Sequence, residues 1–194
     1  LTLFLLGACC LGDPRGRSEL LKVAVDRGEG TWRKVESLAH SLTSREIFTY
    51  ALALCEAGQH GERLGPLLTV AARMQERDEN SRGYGNFRWS WQDGAVLDYN
   101  AVDFCMQSGA ILWLRHAQSL PAAVQNELRE LLDISVSGCL RHRVPSSYTN
   151  IALMNALDLI LLGQALGRQD AATEGRSRLD QICLFTAENG IHEY

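Results

Sequence analysis

Lysine, proline and strand-like alternation are all scarce in this sequence of 194 residues. Only four prolines interrupt the chain, so long helices meet few breaks. No segment alternates apolar and polar residues over the length of a typical strand. Basic residues form no stripe and the formal net charge is −4, which argues against nucleic acid as a partner. Apolar residues, at 46% of the chain, are enough for a sizeable core, and the pattern predicts an all-α fold.

Metal-binding cysteine patterns are also missing. The chain has no Cys-x-x-Cys pair and no spacing of cysteine and histidine that suits zinc. We therefore predict no metal site and no cofactor. Four cysteines lie far apart inside apolar helical patterns, which favours buried free thiols: Cys55, Cys105, Cys139 and Cys183. A disulfide between neighbouring helices stays an alternative if the protein is exported.

The first ten residues form an apolar run that is too short to span a bilayer. It is typical of the hydrophobic part of a secretory signal peptide, so residues 1–12 are interpreted as its remnant. The segment from Leu6 to Cys9 also resembles a bacterial lipobox, which predicts a lipid anchor through Cys9. A buried first helix is the alternative. We expect an exported protein (periplasmic, a surface lipoprotein or secreted), whose residues 13–194 form a domain that continues beyond Tyr194.

Apolar residues recur at spacings of three and four through most of the chain. The spacing predicts helices over residues 44–59, 62–77, 121–143, 148–166 and 170–188, and another from residue 98 to the break at 119–121. The helix over 148–166 is apolar on nearly all sides, so we expect it to be covered all round. Gly167 is expected to stop it.

A repeat is visible in the order of these helices. Asp98, Tyr99 and Asn100 open one mostly apolar helix, and Tyr148, Thr149 and Asn150 open the next. Each is followed by a break and an amphipathic helix. This order predicts repeated αα-hairpins with an inner and an outer helix, arranged as part of an (α/α) toroid or barrel. An open solenoid is the alternative.

Aromatic residues are concentrated between Gly83 and Gly94, in a segment without helical period, which we name the aromatic loop. It holds Tyr84, Phe87, Trp89 and Trp91. The favoured interpretation is a surface on which a flat ligand lies, and the alternative is packing into the core.

Polar residues at the starts of the inner helices are expected to share one face with the aromatic loop. Helix N-termini favour anions, but the same residue types are typical N-caps, which is the simpler interpretation of each one alone: Asp98, Asn100, Ser147 and Asn150. Asn155 and Asp158, inside the apolar helix, are expected to satisfy neighbouring backbone. Four histidines are interpreted as surface or structural residues, and the two arginines beside the last of them as cations suited to a helix end: His40, His60, His116, His142, Arg141 and Arg143.

Four short segments resemble, in order, the toroidal domain of heparinase II/III-like and alginate lyase-like polysaccharide lyases: 147–155, 166–168, 175–179 and 189–194. The resemblance covers about residues 98–194. It implies that Asn150 neutralises a uronate carboxylate and that His192 or a tyrosine at or beyond Tyr194 moves protons in β-elimination. The residues implied in substrate binding are Arg88, Trp89, Trp91, Asp98, Tyr99, Asn100, Tyr148 and Glu193. Many members have histidine after the asparagine, where this chain has Ile151.

The predicted function is therefore an enzyme that acts on an acidic, uronic-acid-containing polysaccharide or oligosaccharide by β-elimination. One alternative is a glycoside hydrolase of the helical-barrel type, with Asp93, Asp98 and Glu193 as candidate carboxylates. Another is a non-catalytic helical-repeat module that binds glycans or proteins.

Overall fold

The computed structural model describes residues 14–191, with side chains from residue 16 onward. Within this part of the chain there are seven α-helices and no strand, so the predicted all-α class is confirmed. The helices are α1 Pro14–Ser37, α2 Ser44–Glu56, α3 Leu64–Met74, α4 Ala101–His116, α5 Ala122–Arg141, α6 Thr149–Leu166 and α7 Gln169–Asn189, with a 3₁₀ turn at Ala117–Ser119.

Two helix ends show how local sequence fixes the bounds. Thr43 and Glu46 form a capping box, in which each side chain accepts a hydrogen bond from the backbone of the other and satisfies an N–H group at the start of α2. Gly167 adopts φ 71° at the end of α6, the left-handed conformation that glycine adopts without steric cost, so the predicted stop is confirmed.

Helices α2, α4 and α6 form a packed row in which α4 contacts both of the others. Helix α5 packs against α3, α4 and α6, while α7 packs mainly on α6. The main core lies between these helices and is filled by fully buried side chains such as Phe48, Leu68 and Leu132.

Close backbone contact brings α7 onto α6. A side chain at Gly163 would place its Cβ 2.6 Å from the backbone nitrogen of Ala172, and one at Gly175 would lie 2.7 Å from the carbonyl oxygen of Ala156. Both positions therefore need the smallest residue, and the two helices pack tightly.

Helix α6 is the one helix in the described residues that is long and apolar enough to cross a membrane, and half of it is buried inside the protein. The expectation that it is covered all round was wrong for one stripe, because Leu153 and Leu157 remain 41% and 46% exposed. No described helix packs over these two side chains completely.

All four cysteines in the described residues are free thiols. Burial raises the pKa of Cys55 and Cys105 to about 12, so these thiols stay protonated near neutral pH. The prediction of buried thiols holds for three of the four and was wrong for Cys183, which lies exposed on α7.

Candidate functional site

The aromatic loop packs one aromatic side chain into the core and leaves another partly at the surface. Phe87 is fully buried and its ring meets the edge of Phe48 at a centroid distance of 5.4 Å. Trp89 is half-buried and packs edge-to-face on Phe104 of α4, 5.5 Å between centroids. The loop therefore anchors itself with one ring and keeps part of another at the surface.

Backbone hydrogen bonds tie this loop to the start of α2. The amide of Ser44 donates to the carbonyl of Trp89 at 3.0 Å, and the amide of Trp91 donates to the carbonyl of Leu42 at 2.8 Å. Together with the contact between Trp89 and Phe104, these bonds put the loop beside the first turns of both α2 and α4.

Arg88, expected to bind a substrate anion, braces the loop in this structure. Its two terminal nitrogens donate to the carbonyl oxygens of Asp93 at 2.8 Å and Arg73 at 2.7 Å. The guanidinium groups of Arg73 and Arg88 lie 4.8 Å and 5.5 Å from the ring centroid of Trp91. Trp91 thus has cations packed against its ring.

A cavity of about 560 Å³ lies where the aromatic loop meets the end of α5 and the start of α4. We name it the basic pocket, and its lining residues are Arg82, Tyr99, Arg141, His142 and Arg143. Arg82 forms no ion pair with any described residue, and its guanidinium lies 5.2 Å from the ring centroid of Tyr99. No carboxylate lines the pocket itself. Arg143 is paired with Glu174, whereas Arg82 and Arg141 form no ion pair with a described residue, so the field of the pocket favours an anionic ligand.

The backbone brings the loop and α5 together at this pocket. Gly85 has φ 82°, and a Cβ there would lie 2.3 Å from the carbonyl oxygen of Ile134. A Cβ at Gly138 would lie 2.5 Å from the carbonyl oxygen of Gly85. Only glycine at both positions permits this approach. Nearby, Arg141 donates to the carbonyl of Ser81 at 2.9 Å, and its guanidinium lies 4.8 Å from the ring of Tyr84.

His142 is held in the basic pocket by a buried carboxylate. Its Nδ1 lies 2.7 Å from Oδ2 of Asp103, which is fully buried on α4. When Asp103 is ionised, its oxygens only accept hydrogen bonds, and this contact then places the imidazole proton on Nδ1 and leaves Nε2 as an acceptor. Nε2 has no hydrogen-bond partner among the described residues. The ring of Tyr99 lies 6.5 Å from the imidazole, centroid to centroid.

Asn155 and Arg178 hold this arrangement from the other side. Asn155 donates to Oδ1 of Asp103 at 2.8 Å, and its own amide oxygen accepts from Arg178. Arg178 also donates to three carbonyls at the end of α5, those of Cys139, Leu140 and His142. One side chain of α7 therefore caps the helix end that carries the basic residues.

Two carboxyl groups are buried in this region. Burial raises the pKa of Asp103, while its hydrogen bond and charge interaction with His142 act in the opposite direction. Burial also raises the pKa of Asp158 well above its usual value, and the neighbouring charge of Asp103 adds to that rise. Both oxygens of Asp158 lack a hydrogen-bond partner, so the expectation that it satisfies nearby backbone was wrong. For Asn155 the expectation holds only in part, through the carbonyl of Cys139 at 3.1 Å.

The predicted residues at the helix starts lie at or near the surface. Asp98 is exposed and accepts a hydrogen bond from the amide of Asn100 at 2.9 Å, while Asn150 is exposed and accepts from the amide of Ile151 at 2.8 Å. The N-cap positions of α4 and α6 are Asn100 and Tyr148, and neither side chain makes a capping bond. Capping was therefore wrongly expected of Asn100, and Asp98, Ser147 and Asn150 do not occupy the N-cap positions of these helices. Tyr99 is the member of this set that lines the basic pocket. His192, Glu193 and Tyr194 lie outside the described residues, as does Cys9.

Sequence reasoning missed most of the basic pocket. It assigned Arg141 and Arg143 only to a helix end and read His142 as surface or structural, and it gave Asp103 no role. One signal was present, because an aspartate inside a mostly apolar helix needs a buried partner. The partner came from a segment about forty residues away, which no local pattern identifies. His116, also read as surface or structural, lies 3.0 Å from Glu56 in a separate cluster.

The described residues contain no group of three or more histidine, cysteine, aspartate or glutamate side chains placed to hold a metal ion. The chain matches no family model, and no curated protein or solved structure is detectably similar to it. The likeness to polysaccharide lyases therefore stays a prediction from the sequence.

Proposed function

We propose that this protein acts on an acidic, uronic-acid-containing polysaccharide, and that it cleaves the chain by β-elimination. The observation that carries the proposal is the basic pocket, in which three arginines line the same cavity as Tyr99 and His142. Arginine pairs with the carboxylate of a uronate or with a sulfate group in a planar, bidentate way. A tyrosine and a histidine between such cations are suited to proton transfer next to a bound anion.

The packing of the helices supports the proposal of an (α/α) toroid architecture. Helices α2, α4 and α6 are proposed as the inner helices and α3, α5 and α7 as the outer helices of αα-hairpins that form part of a toroid. The contacts of α4 with both α2 and α6 favour this order. Export, with lipidation of Cys9, is proposed from the apolar run at residues 1–10.

Elimination needs three things of the protein. A carboxylate must be neutralised so that the carbon beside it becomes more acidic, and the guanidinium of Arg82, which has no ion pair among the described residues, is proposed for this role. A base must remove the proton from that carbon, and Nε2 of His142 is free to accept it. A phenol must then give its proton to the departing glycosidic oxygen, which is the role proposed for Tyr99.

The bonds balance without an added reactant. The C–H bond beside the carboxylate breaks and its proton goes to His142, the electron pair forms a carbon–carbon double bond, and the C–O bond to the next sugar breaks. The product end is an unsaturated uronate. The roles predicted for Asn150, His192 and Tyr194 remain predictions, and they are tested by the same assay.

The test incubates the protein with alginate, hyaluronan and heparin, and with dextran as a neutral control. We expect near-ultraviolet absorbance from an unsaturated uronate with at least one acidic polymer and none with dextran. His142→Asn keeps an amide N–H for Asp103 but removes Nε2, and Tyr99→Phe removes only the hydroxyl. Each should lower the rate by about a hundredfold or more at unchanged stability. His40→Asn, at an exposed histidine, is the matched control.

Three results would contradict the proposal. New reducing ends without absorbance would favour hydrolysis, for which the predicted carboxylates are Asp93, Asp98 and Glu193. Binding of an acidic polymer without any product would favour the non-catalytic module. Full activity in His142→Asn and Tyr99→Phe would remove the basic pocket from the reaction, and loss of activity in Asn150→Ala alone would move it to the start of α6.

A further inference from the structure

A second cavity, of about 630 Å³, lies between α1 and α2 and is closed on one side by the aromatic loop. We name it the α1–α2 groove. Arg27 and Thr31 line it from α1, Arg45 and Tyr50 line it from α2, and Trp89 forms its wall at the loop. Its volume is in the range of ligand-binding cavities in proteins, about 300–1,000 Å³.

Trp89 forms one wall of the groove, and several contacts fix its position. Its carbonyl accepts the amide of Ser44, and the neighbouring Ser90 pairs with Thr43 in a backbone bridge. Its ring is held edge-to-face on Phe104 at an interplanar angle of 85°, and the side chain is only half-buried. An aromatic ring fixed in this way presents an apolar surface to the C–H face of a sugar ring, at little cost in conformational entropy.

The charges in the groove favour an anion. Arg27 and Arg45 form no ion pair with a described carboxylate, and the guanidinium of Arg45 lies 4.7 Å from the ring centroid of Phe104. The one carboxylate in the lining, Glu46, is paired with Lys34 at 2.8 Å. The groove therefore combines an aromatic wall with two cations that are available to a ligand.

The start of α4 lies between this groove and the basic pocket. Tyr99, two residues before α4, lines the basic pocket, and Phe104 in the first turn contacts both Trp89 and Arg45 of the groove. Phe104 is five positions after Tyr99, so their backbones lie at most about 18 Å apart. A chain of several sugars is long enough to reach from one cavity to the other across this helix start.

We infer that the α1–α2 groove is a second saccharide site, which holds another anionic unit of the same chain whose uronate lies in the basic pocket. This inference rests on the proposed function. It specifies the substrate class of that function, which is a polyanionic oligosaccharide of several units. A disaccharide is too short to reach both cavities.

The test is calorimetric titration of the protein with disaccharides and octasaccharides of heparin and of polygalacturonate. At least one octasaccharide should bind about tenfold more tightly than its disaccharide, since the second site adds contacts without a second loss of translational freedom. Trp89→Leu and Arg45→Gln should each remove most of this gain, and should leave disaccharide binding unchanged.

Matched controls separate these effects from a general loss of aromatic surface or of charge. Trp113→Leu changes a half-buried tryptophan that lies on another cavity, and Arg77→Gln changes a surface arginine paired with Glu130. Both should keep the preference for the octasaccharide. Circular dichroism and thermal unfolding check that Trp89→Leu stays folded.

The outcomes distinguish the two proposals. If neither octasaccharide binds, this inference fails, and the proposed function fails as well when no acidic polymer gives the unsaturated product. If an octasaccharide binds but no more tightly than its disaccharide, or if Trp89→Leu and Arg45→Gln keep the full gain, then only the second site is refuted.

Discussion

Two buried carboxyl groups on neighbouring helices differ in almost everything except burial. Asp103 on α4 and Asp158 on α6 are both fully buried. Asp103 is hydrogen-bonded by His142 and Asn155, whereas both oxygens of Asp158 have no partner. This difference shows that burial alone does not identify a carboxyl group that has a functional role. The hydrogen bonds to Asp103 lower its pKa against the effect of burial, whereas no hydrogen bond offsets the effect of burial on the pKa of Asp158.

Removing Asp103 should have the largest effect on stability. Asp103→Ala leaves an imidazole N–H and an amide N–H without their buried acceptor, and each unsatisfied group costs about 1–3 kcal/mol. We expect the free energy of unfolding to fall by about 3 kcal/mol, measured by denaturant unfolding. Asp180→Ala, at an exposed position of α7, should change it by less than about 0.5 kcal/mol. Equal values for the two variants would mean that the Asp103 network does not stabilise the fold.

Asn155→Leu should make the hydrogen bonding of Asp103 more like that of Asp158, which has no donor. The change removes one donor from Asp103 and also the acceptor of Arg178, so we expect a loss of about 2 kcal/mol in the free energy of unfolding. The pKa of Asp103 should rise further, because the hydrogen bond that Asn155 donates lowers it. Carboxyl carbon chemical shifts followed by NMR during a pH titration report this pKa, and an unchanged value would show that the donor has no influence.

Asp158 should make stability fall as the pH rises. Its folded-state pKa is raised by burial, so the folded protein keeps a proton that the unfolded chain releases near pH 4. Between those two pKa values, the free energy of unfolding should decrease by about 1.4 kcal/mol per pH unit from this group. Below the unfolded-state pKa, Asp158 is protonated in both states, and its contribution to the free energy of unfolding no longer changes with pH.

Asp158→Asn isolates this contribution, because it keeps the size of the side chain and removes the titration. Unfolding curves measured across a pH series should show a shallower decrease in the variant than in the parent protein. Parallel pH profiles for the two proteins would contradict the raised pKa of Asp158.

The helices were predictable because their signals are local. Spacings of three and four gave the positions of α2 to α7, and Gly167 gave the end of α6. The capping box at Thr43 and Glu46 was not predicted, although its signal spans only four consecutive residues. The start of α4 was expected three residues too early, since Asp98 and Asn100 use their hydrogen bond in a turn before the helix.

The basic pocket was not predictable in the same way. Its members are Arg82 just before the aromatic loop, Tyr99 two residues before α4, and three residues at the end of α5, and their meeting depends on how these elements pack. Tyr99 was predicted to be functional because of its place in the repeat. His142 was interpreted only as a surface or structural residue near a helix end. Tertiary hydrogen bonds such as that between Asp103 and His142 join residues 39 positions apart, a distance at which sequence patterns carry no information about contact.

The meeting of Gly85 and Gly138, backbone against backbone, has a consequence for how this protein changes over evolution. The carbonyl of Gly85 fills the space where a side chain at position 138 would stand, so the main chains of the loop and α5 pack directly against each other. Arg82 and Arg141, which line the basic pocket, lie on either side of this contact. Exchange of these two side chains would therefore alter the ligand-facing surface without altering the backbone contact beneath it.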